Sequence, residues 1–361
     1  AQDVADRRSG GESKVEAVIL TLLNGLEVAT LALLPYGGPM THKIILDTDP
    51  GIDDAMAILF AEAHPAIDLL AITTVFGNAT IENGTRNALW LKQKYGMRAE
   101  VARGAAAPLL REPVGPTTVV HGPSGLGDVE AGEVTLAPDP RPAWQYIVET
   151  VKANPGEITL VTIGPLTNLA LALEAAPEIT ALVKQVVVMG GAFGVNGHRG
   201  NVTPYAEANI HDDPEAADRV FTAPWPVVII GLDVTQQSFF SSAYLDALRD
   251  DAGEPGRFLW AVSRFYLRFY SERIGLNGCH VHDPSAIAYV IDPELFTLRE
   301  GPVRVIDHGP AIGHTLQKFD GKSHPHDEWA DYPAQRIGVA VRDQALLALY
   351  RDTLVAWGKD C

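Results

Sequence analysis

The chain has 361 residues, 47% of them apolar by a broad count, enough for a large core in one α/β unit or two domains. Its 28 basic and 45 acidic residues give a formal charge of −17, which argues against nucleic acid as a partner and makes a cation a natural one wherever the acids cluster. Two distant cysteines, Cys279 and Cys361, make no disulfide framework and fit a reducing cytoplasm.

Residues 1–39 read as foreign to the rest of the chain. The apolar stretch Val15–Leu34 is broken by Glu16 and Glu27, which a membrane span of ~20 residues avoids, and no A-x-A cleavage signal precedes Met40. We expect an expression remnant or upstream-derived extension, with an extra assembly helix as the alternative, then a catalytic domain over 40–361 and no membrane partner. From Lys43 onward, short apolar runs alternate with helical patterns. Strands are predicted at Lys43–Leu46, Asp68–Phe76, Ile158–Ile163, Gln185–Met189 and Val227–Leu232. Helices are predicted at Asp53–His64, Glu82–Tyr95, Leu166–Ala175, about Pro255–Ser271 and about Gln344–Trp357. This alternation predicts a single α/β domain with an open, mostly parallel central sheet flanked by helices, Rossmann-like in character.

The strongest chemical signal is Asp47-Thr48-Asp49-Pro50-Gly51-Ile52-Asp53-Asp54, four carboxylates in eight residues at the end of the first strand. Aspartate is a good helix N-cap, which accounts for one or two of them. It does not account for Asp47 and Asp49 at a buried strand terminus. Carboxylates packed a few ångströms apart must raise their pKa values or hold a cation. An all-oxygen set suits Ca²⁺ or Mg²⁺, and no Cys/His set for Zn²⁺ lies nearby.

Ligands of parallel α/β sheets bind beyond the carboxyl ends of the strands. Gly77-Asn78, Gly164-Pro165-Leu166-Thr167-Asn168, Gly190-Gly191 and Asp233-Val234-Thr235 all follow predicted strands and outline one pocket with the aspartate loop. Glu207-Ala208-Asn209, with Asn201 ahead of it, offers amides and a carboxylate suited to hydroxyls or to solvent. In His282-Asp283-Pro284, Asp283 is either a helix cap before a proline or a further metal ligand, with His282 as an acid beside it.

Taken together, DTDPGIDDA, TTVFGN, HGPSGLG, GPLTN, VVMGG, E-x-N, GLDVT and HDP occur in an order that resembles the inosine–uridine preferring nucleoside hydrolase family, from Lys43 to about Trp357. The resemblance implies Ca²⁺-dependent hydrolysis of the N-glycosidic bond of ribonucleosides. It implies that Asp49, Asp54, Asp283 and the backbone carbonyl of Ile163 hold the ion, and that Asp47 orients their loop from behind. Asp53 and Asn78 would bind ribose hydroxyls. Met189, Asn201, Glu207 and Asn209 would hold the rest of the sugar, and His121 would sit near the base. Relatives of this kind are usually dimers or tetramers, so a homodimer or homotetramer is expected.

The chemistry of such a bond assigns roles within that set. Cleavage passes through an oxocarbenium-like state. Asp49 is expected to take the proton of the attacking water, Asn209 to stabilise the positive charge, and His282, with its ordinary pKa near working pH, to protonate the leaving base. Water attacking opposite the base predicts inversion at C1′. Tyr266 and Tyr270 share a helix face, and Tyr270 is the expected lid residue. Where many relatives carry an aromatic between Glu207 and Asn209, this chain has Ala208, which predicts a looser pocket. Two rival readings are an aspartyl-nucleophile phosphatase, whose signature also starts D-x-D, and a non-catalytic nucleoside- or sugar-binding protein on the same scaffold.

Overall fold

The computed structural model describes residues 41–359, so the expected extension over 1–39 and Cys361 lie outside the described residues. Eleven strands are named here in chain order: β1 (His42–Thr48), β2 (Ile67–Thr74), β3 (Glu100–Arg103), β4 (Ile158–Thr162), β5 (Gln185–Met189), β6 (Val227–Ile230), β7 (Phe239–Ser241), β8 (Gly278–His280), β9 (Phe296–Val305), β10 (Thr315–Gln317) and β11 (Ala334–Val341). Nine form one sheet in the order β10-β9-β11-β6-β5-β4-β1-β2-β3, and β7 pairs with β8 apart from it. The run from β11 through β3 is parallel, and β9 is antiparallel to both its neighbours.

The parallel strands are apolar on both faces because helices cover both. Along β1, Ile44 and Leu46 join the core on one side and Ile45 the core on the other, the period-two alternation of a strand. The β4 segment Ile-Thr-Leu-Val-Thr is buried at every position. The predicted helices appear as Ile52–Ala63, Ile81–Tyr95, Thr167–Ala175, Gly253–Phe269 and Asp343–Trp357.

Among the boundaries that differ from expectation, two shape the cavity over the aspartate loop. The strand predicted to reach Leu232 stops at Ile230, and Leu232–Thr235 turns into one helical turn. The Asp233 carboxylate there accepts from the backbone N–H groups of Phe193 (2.8 Å) and Val195 (2.6 Å) and ties down the loop after β5. The long helix ends at Phe269 and opens into a wide π turn over Tyr270–Ile274, a distortion often found at functional sites.

Candidate active site

The turn Asp49-Pro50-Gly51 carries the chain from β1 into the helix Ile52–Ala63. Asp54, at the third position of that helix, accepts through Oδ2 from the Gly51 N–H (2.8 Å) and the Asn78 side-chain amide (2.9 Å), and through Oδ1 from Thr48 Oγ1 (2.5 Å) and the Asp49 N–H (3.2 Å). It is the best-supported carboxylate of the loop. Asp47 sits behind it in β1, its Oδ1 accepting from Thr73 Oγ1 (2.5 Å) and Asn168 Nδ2 (2.8 Å). Burial pushes the Asp47 carboxyl up to about 7 despite those two hydrogen bonds.

Asp49, Asp53 and Asp283 each keep one oxygen without a partner. Asp49 accepts from the Asn78 N–H at 2.6 Å through Oδ2, and Asp53 from the Tyr266 hydroxyl at 3.2 Å through Oδ2. Asp49 Oδ1, Asp53 Oδ1 and Asp283 Oδ2 are buried with no hydrogen-bond partner. Burial raises the pKa of each of these three groups, and for Asp283 the charges of Asp53, Asp54, Asp49 and Glu207 add to it. Orphaned buried carboxylate oxygens are costly, and a hard divalent cation is the partner their chemistry fits. One oxygen from each of Asp53, Asp54 and Asp283 lies within 4.8 Å of the others. The structure thus brings Asp54 and Asp283 together as expected, adds Asp53, expected on ribose, and leaves Asp49 beside the trio with its own free oxygen. The Ile163 carbonyl, beyond the end of β4, accepts from Asn209 Nδ2 at 2.9 Å and lines the same space.

Above the acids lies a cavity of about 310 Å³. Asp53, Asn78, His121, Ile163, Met189, Asn201, Glu207, Asn209, Tyr270, His282 and Asp283 all line it, so sequence positions from 53 to 283 converge on one space. Asp49, Asp54 and Asp47 lie beneath it. Asn209 donates from Nδ2 to the carbonyls of Ile163 and Met189 (3.1 Å), which fixes the orientation of its amide. Glu207 caps the helix Ala208–Asp212, accepting from the N–H groups of Asn209 (3.0 Å), Ile210 (3.2 Å) and Gly191 (2.9 Å). Asn201 Oδ1 accepts from the Ala208 N–H at 3.1 Å, so loop and helix hold each other.

Two histidines differ from a simple sequence reading. The Ile52 N–H donates to His121 Nδ1 at 3.2 Å, which places the ring proton of a neutral His121 on Nε2, and burial lowers its pKa to about 4. His282 is bonded at both nitrogens, to Thr235 Oγ1 (2.8 Å) and the Tyr270 hydroxyl (3.1 Å). Burial, with His280 and His121 nearby, lowers its pKa to about 3. Burial thus disfavours the protonated ring that the expected acid role would use. Tyr270, the expected lid residue, is buried in the cavity wall and bonded to His282, with Tyr266 edge-on against it at 4.9 Å.

Sequence reasoning missed the partners that position these groups. Thr235 orients His282, Tyr266 reaches Asp53, and Thr73 and Asn168 hold Asp47. The signals were present in GLDVT and GPLTN, but nothing in the sequence says which carboxylate or ring each would touch. Gly77 is a further case. At φ +148° it runs so close to the acids that an added Cβ would lie 2.0 Å from Asp49 Oδ2. Gly77→Ala is expected to displace Asp49 and lower kcat about 10- to 100-fold, with the melting temperature shifted by only a few degrees. Steady-state kinetics beside a thermal melt checks this; unchanged kcat would show that Asp49 tolerates displacement.

The geometry has counterparts in known proteins. The sequence profile of the family described as inosine-uridine preferring nucleoside hydrolase matches residues 44–348. The chain is 41% identical to uridine nucleosidase 1 of Arabidopsis thaliana over 320 residues, covering 87% of this chain and 93% of that protein. It is 40% identical over 276 residues to a pyrimidine-specific ribonucleoside hydrolase of Escherichia coli, covering 76% and 87%. Among solved structures, a plant nucleoside hydrolase superposes with a TM-score of 0.84 at 37% identity, covering 87% of this chain and 99% of that one.

Proposed function

The chain belongs to the inosine-uridine preferring nucleoside hydrolase family and hydrolyses the N-glycosidic bond of ribonucleosides; on that premise we propose that it does so with Ca²⁺ held by Asp49, Asp54, Asp283 and the Ile163 carbonyl. The observation that carries the metal is the set of buried, unpartnered oxygens of Asp49, Asp53 and Asp283 under the cavity. Such a cation, when bound, grips a sugar diol and eases deprotonation of water.

The chain's own groups account for the remaining work. Asp49, with Oδ1 free and Oδ2 anchored by Asn78, accepts the proton of the attacking water. Asp53 and Asn78 take ribose hydroxyls, with Met189, Asn201 and Glu207 around the rest of the sugar and His121 toward the base. Asn209, its amide fixed by two carbonyls, turns its oxygen on the developing oxocarbenium charge. His282, linked to Thr235 and Tyr270, serves the departing base through the Tyr270 hydroxyl, which donates onward when the His282 Nε2–H donates to it. Asp47 keeps the aspartate loop in register from behind. Attack opposite the base inverts C1′.

The names of the relatives support a uracil riboside as a substrate of this chain as well. We further propose a homodimer or homotetramer in the cytoplasm, and a catalytic domain that starts near residue 40; no helix among the described residues is long and apolar enough to cross a membrane. The family match leaves no support for the aspartyl-phosphatase reading. A panel of ribonucleosides assayed for free base tests the proposal: release is expected to fall to background in excess calcium chelator and to return with added Ca²⁺. Full turnover by protein shown by elemental analysis to carry no divalent metal would overturn it.

A further inference from the structure

Asn87 is an amide with no exposed surface in the middle of the helix Ile81–Tyr95, a place where apolar side chains are the rule. Its Nδ2 donates to two backbone carbonyls, Pro50 at 3.0 Å and Ser124 at 2.8 Å, each 37 residues away in the chain. One turn earlier on the same helix face, Asn83 Nδ2 donates to the Pro123 carbonyl at 3.2 Å. Pro50 belongs to the aspartate turn. Pro123 and Ser124 belong to the loop that follows His121, a residue of the cavity wall. That loop has little stiffness of its own, since Gly122 (φ +75°) and Gly125 (φ +89°) both hold backbone conformations that favour glycine. Its shape must come from its contacts, and these are close: a Cβ added at Gly125 would lie 2.9 Å from both Asn87 Nδ2 and the Pro50 oxygen.

We propose that Asn87, with Asn83 beside it, is a positioning residue that clamps the His121 loop onto the aspartate turn and so holds the base end of the site in register with the sugar end. This rests on the hydrolase reading, with His121 toward the base. The bond that breaks lies between those two ends, so a loop that drifts from the turn misplaces one against the other, and a shift of roughly 1 Å can cost about 100-fold in rate. His121 has one direct tie to the turn, the Ile52 N–H on its Nδ1 at 3.2 Å. Asn87 supplies a second tie further along the loop. The turn has support of its own, because Asp54 accepts from the N–H groups of Asp49 and Gly51. Loss of the Asn87 donor therefore frees the loop before the turn, and its effect on turnover passes through His121. Leucine at this position has nearly the same shape and no donor, and leaves both carbonyls facing a methyl group.

The test is a double-mutant cycle on free-base release from uridine, with thermal melts alongside. His121→Ala is expected to lower kcat/KM about tenfold or more. Asn87→Leu is expected to lower it about 10- to 100-fold in the parent enzyme, but less than about threefold once His121 is alanine. Asn83→Ala, at a half-buried position, is expected to show the same coupling with a loss of about three- to tenfold, and it reads the clamp should Asn87→Leu fold poorly. Thr85→Val removes the buried hydrogen bond to Thr74 (2.8 Å) from the same helix without touching either loop, and is expected to lower the melting temperature while kcat/KM stays unchanged. Losses that simply multiply across Asn87 and His121, kinetics unmoved by His121→Ala, or an equal loss in Thr85→Val overturn the clamp and leave the hydrolase intact. Failure of the parent enzyme to release base from any ribonucleoside sinks the hydrolase reading and the clamp with it.

Discussion

Asp49→Ala should lower kcat about a thousandfold or more while leaving a folded protein at least as stable as the parent in the absence of metal. The two halves of this expectation have one cause. Asp49 is 1% exposed and has one oxygen with no partner, and burial together with the charge of Asp54 holds its pKa well above the ordinary carboxylate range. A group kept in that state is a cost to the fold, repaid only when it meets a cation and a proton donor. Its removal relieves repulsion in the cluster but takes away the base for the attacking water, a role worth about 10²- to 10⁴-fold, and one ligand of the metal. Single-turnover rates for uridine and thermal melts in chelator measure the two halves separately. Near-normal turnover would remove Asp49 from the role of base, and a large loss of stability would show that it is structural instead. Asn209→Ala gives the contrast: Asn209 Nδ2 ties together the ends of β4 and β5, so its loss should cost both rate and stability.

What the sequence makes legible divides by how local the cause is. The aspartate loop is contiguous, so four acids around a Pro-Gly turn announce a charged site wherever the chain goes. The parallel strands are apolar on both faces, and KIIL, ITLVTI and QVVVM read as buried without knowledge of neighbours. β9 is different. Its sequence Phe-Thr-Leu-Arg-Glu-Gly-Pro-Val-Arg-Val, with Gly301 and Pro302 between charges, is not among the predicted strands, yet it pairs antiparallel with β11 over Phe296–Pro302. Pro302 ends that ladder, where a missing N–H matters least. The site was legible in its acids and amides but not in what holds them. Tyr266 meets Asp53 across 213 residues, and Thr235 meets His282 across 47. No local pattern encodes such pairs. The lowered pKa of His282 follows from burial, which sequence does not display, so the sequence alone leads to an ordinary imidazole there.

The same buried acids make the stability of the metal-free protein fall as pH rises, and Ca²⁺ should cancel the fall. Asp47 titrates at about 7 and Asp53 at about 6 in the folded chain, and Asp49 and Asp283 are raised as well, all chiefly by burial. In the unfolded chain such groups return to about 4. The folded state therefore binds protons more tightly, so the stabilising contribution is complete below pH 4 and is lost as pH climbs through 6 and 7. For Asp47 alone, a shift from 3.8 to about 7 corresponds to at most roughly 4 kcal/mol. The buried neutral His121 and His282 act oppositely, costing stability as pH falls below about 6.5, so the share of the aspartates is read from how the effect of Ca²⁺ changes between pH 5.5 and pH 8. A cation binds the deprotonated carboxylates and only in the folded state, so saturating Ca²⁺ should raise the melting temperature most at pH 8 and flatten or invert the trend. Melting curves at the two pH values, with chelator and with Ca²⁺, give four numbers. A Ca²⁺ increment that is equal at both pH values, or absent, would mean that these carboxylates are not the ones that trade their protons for the ion.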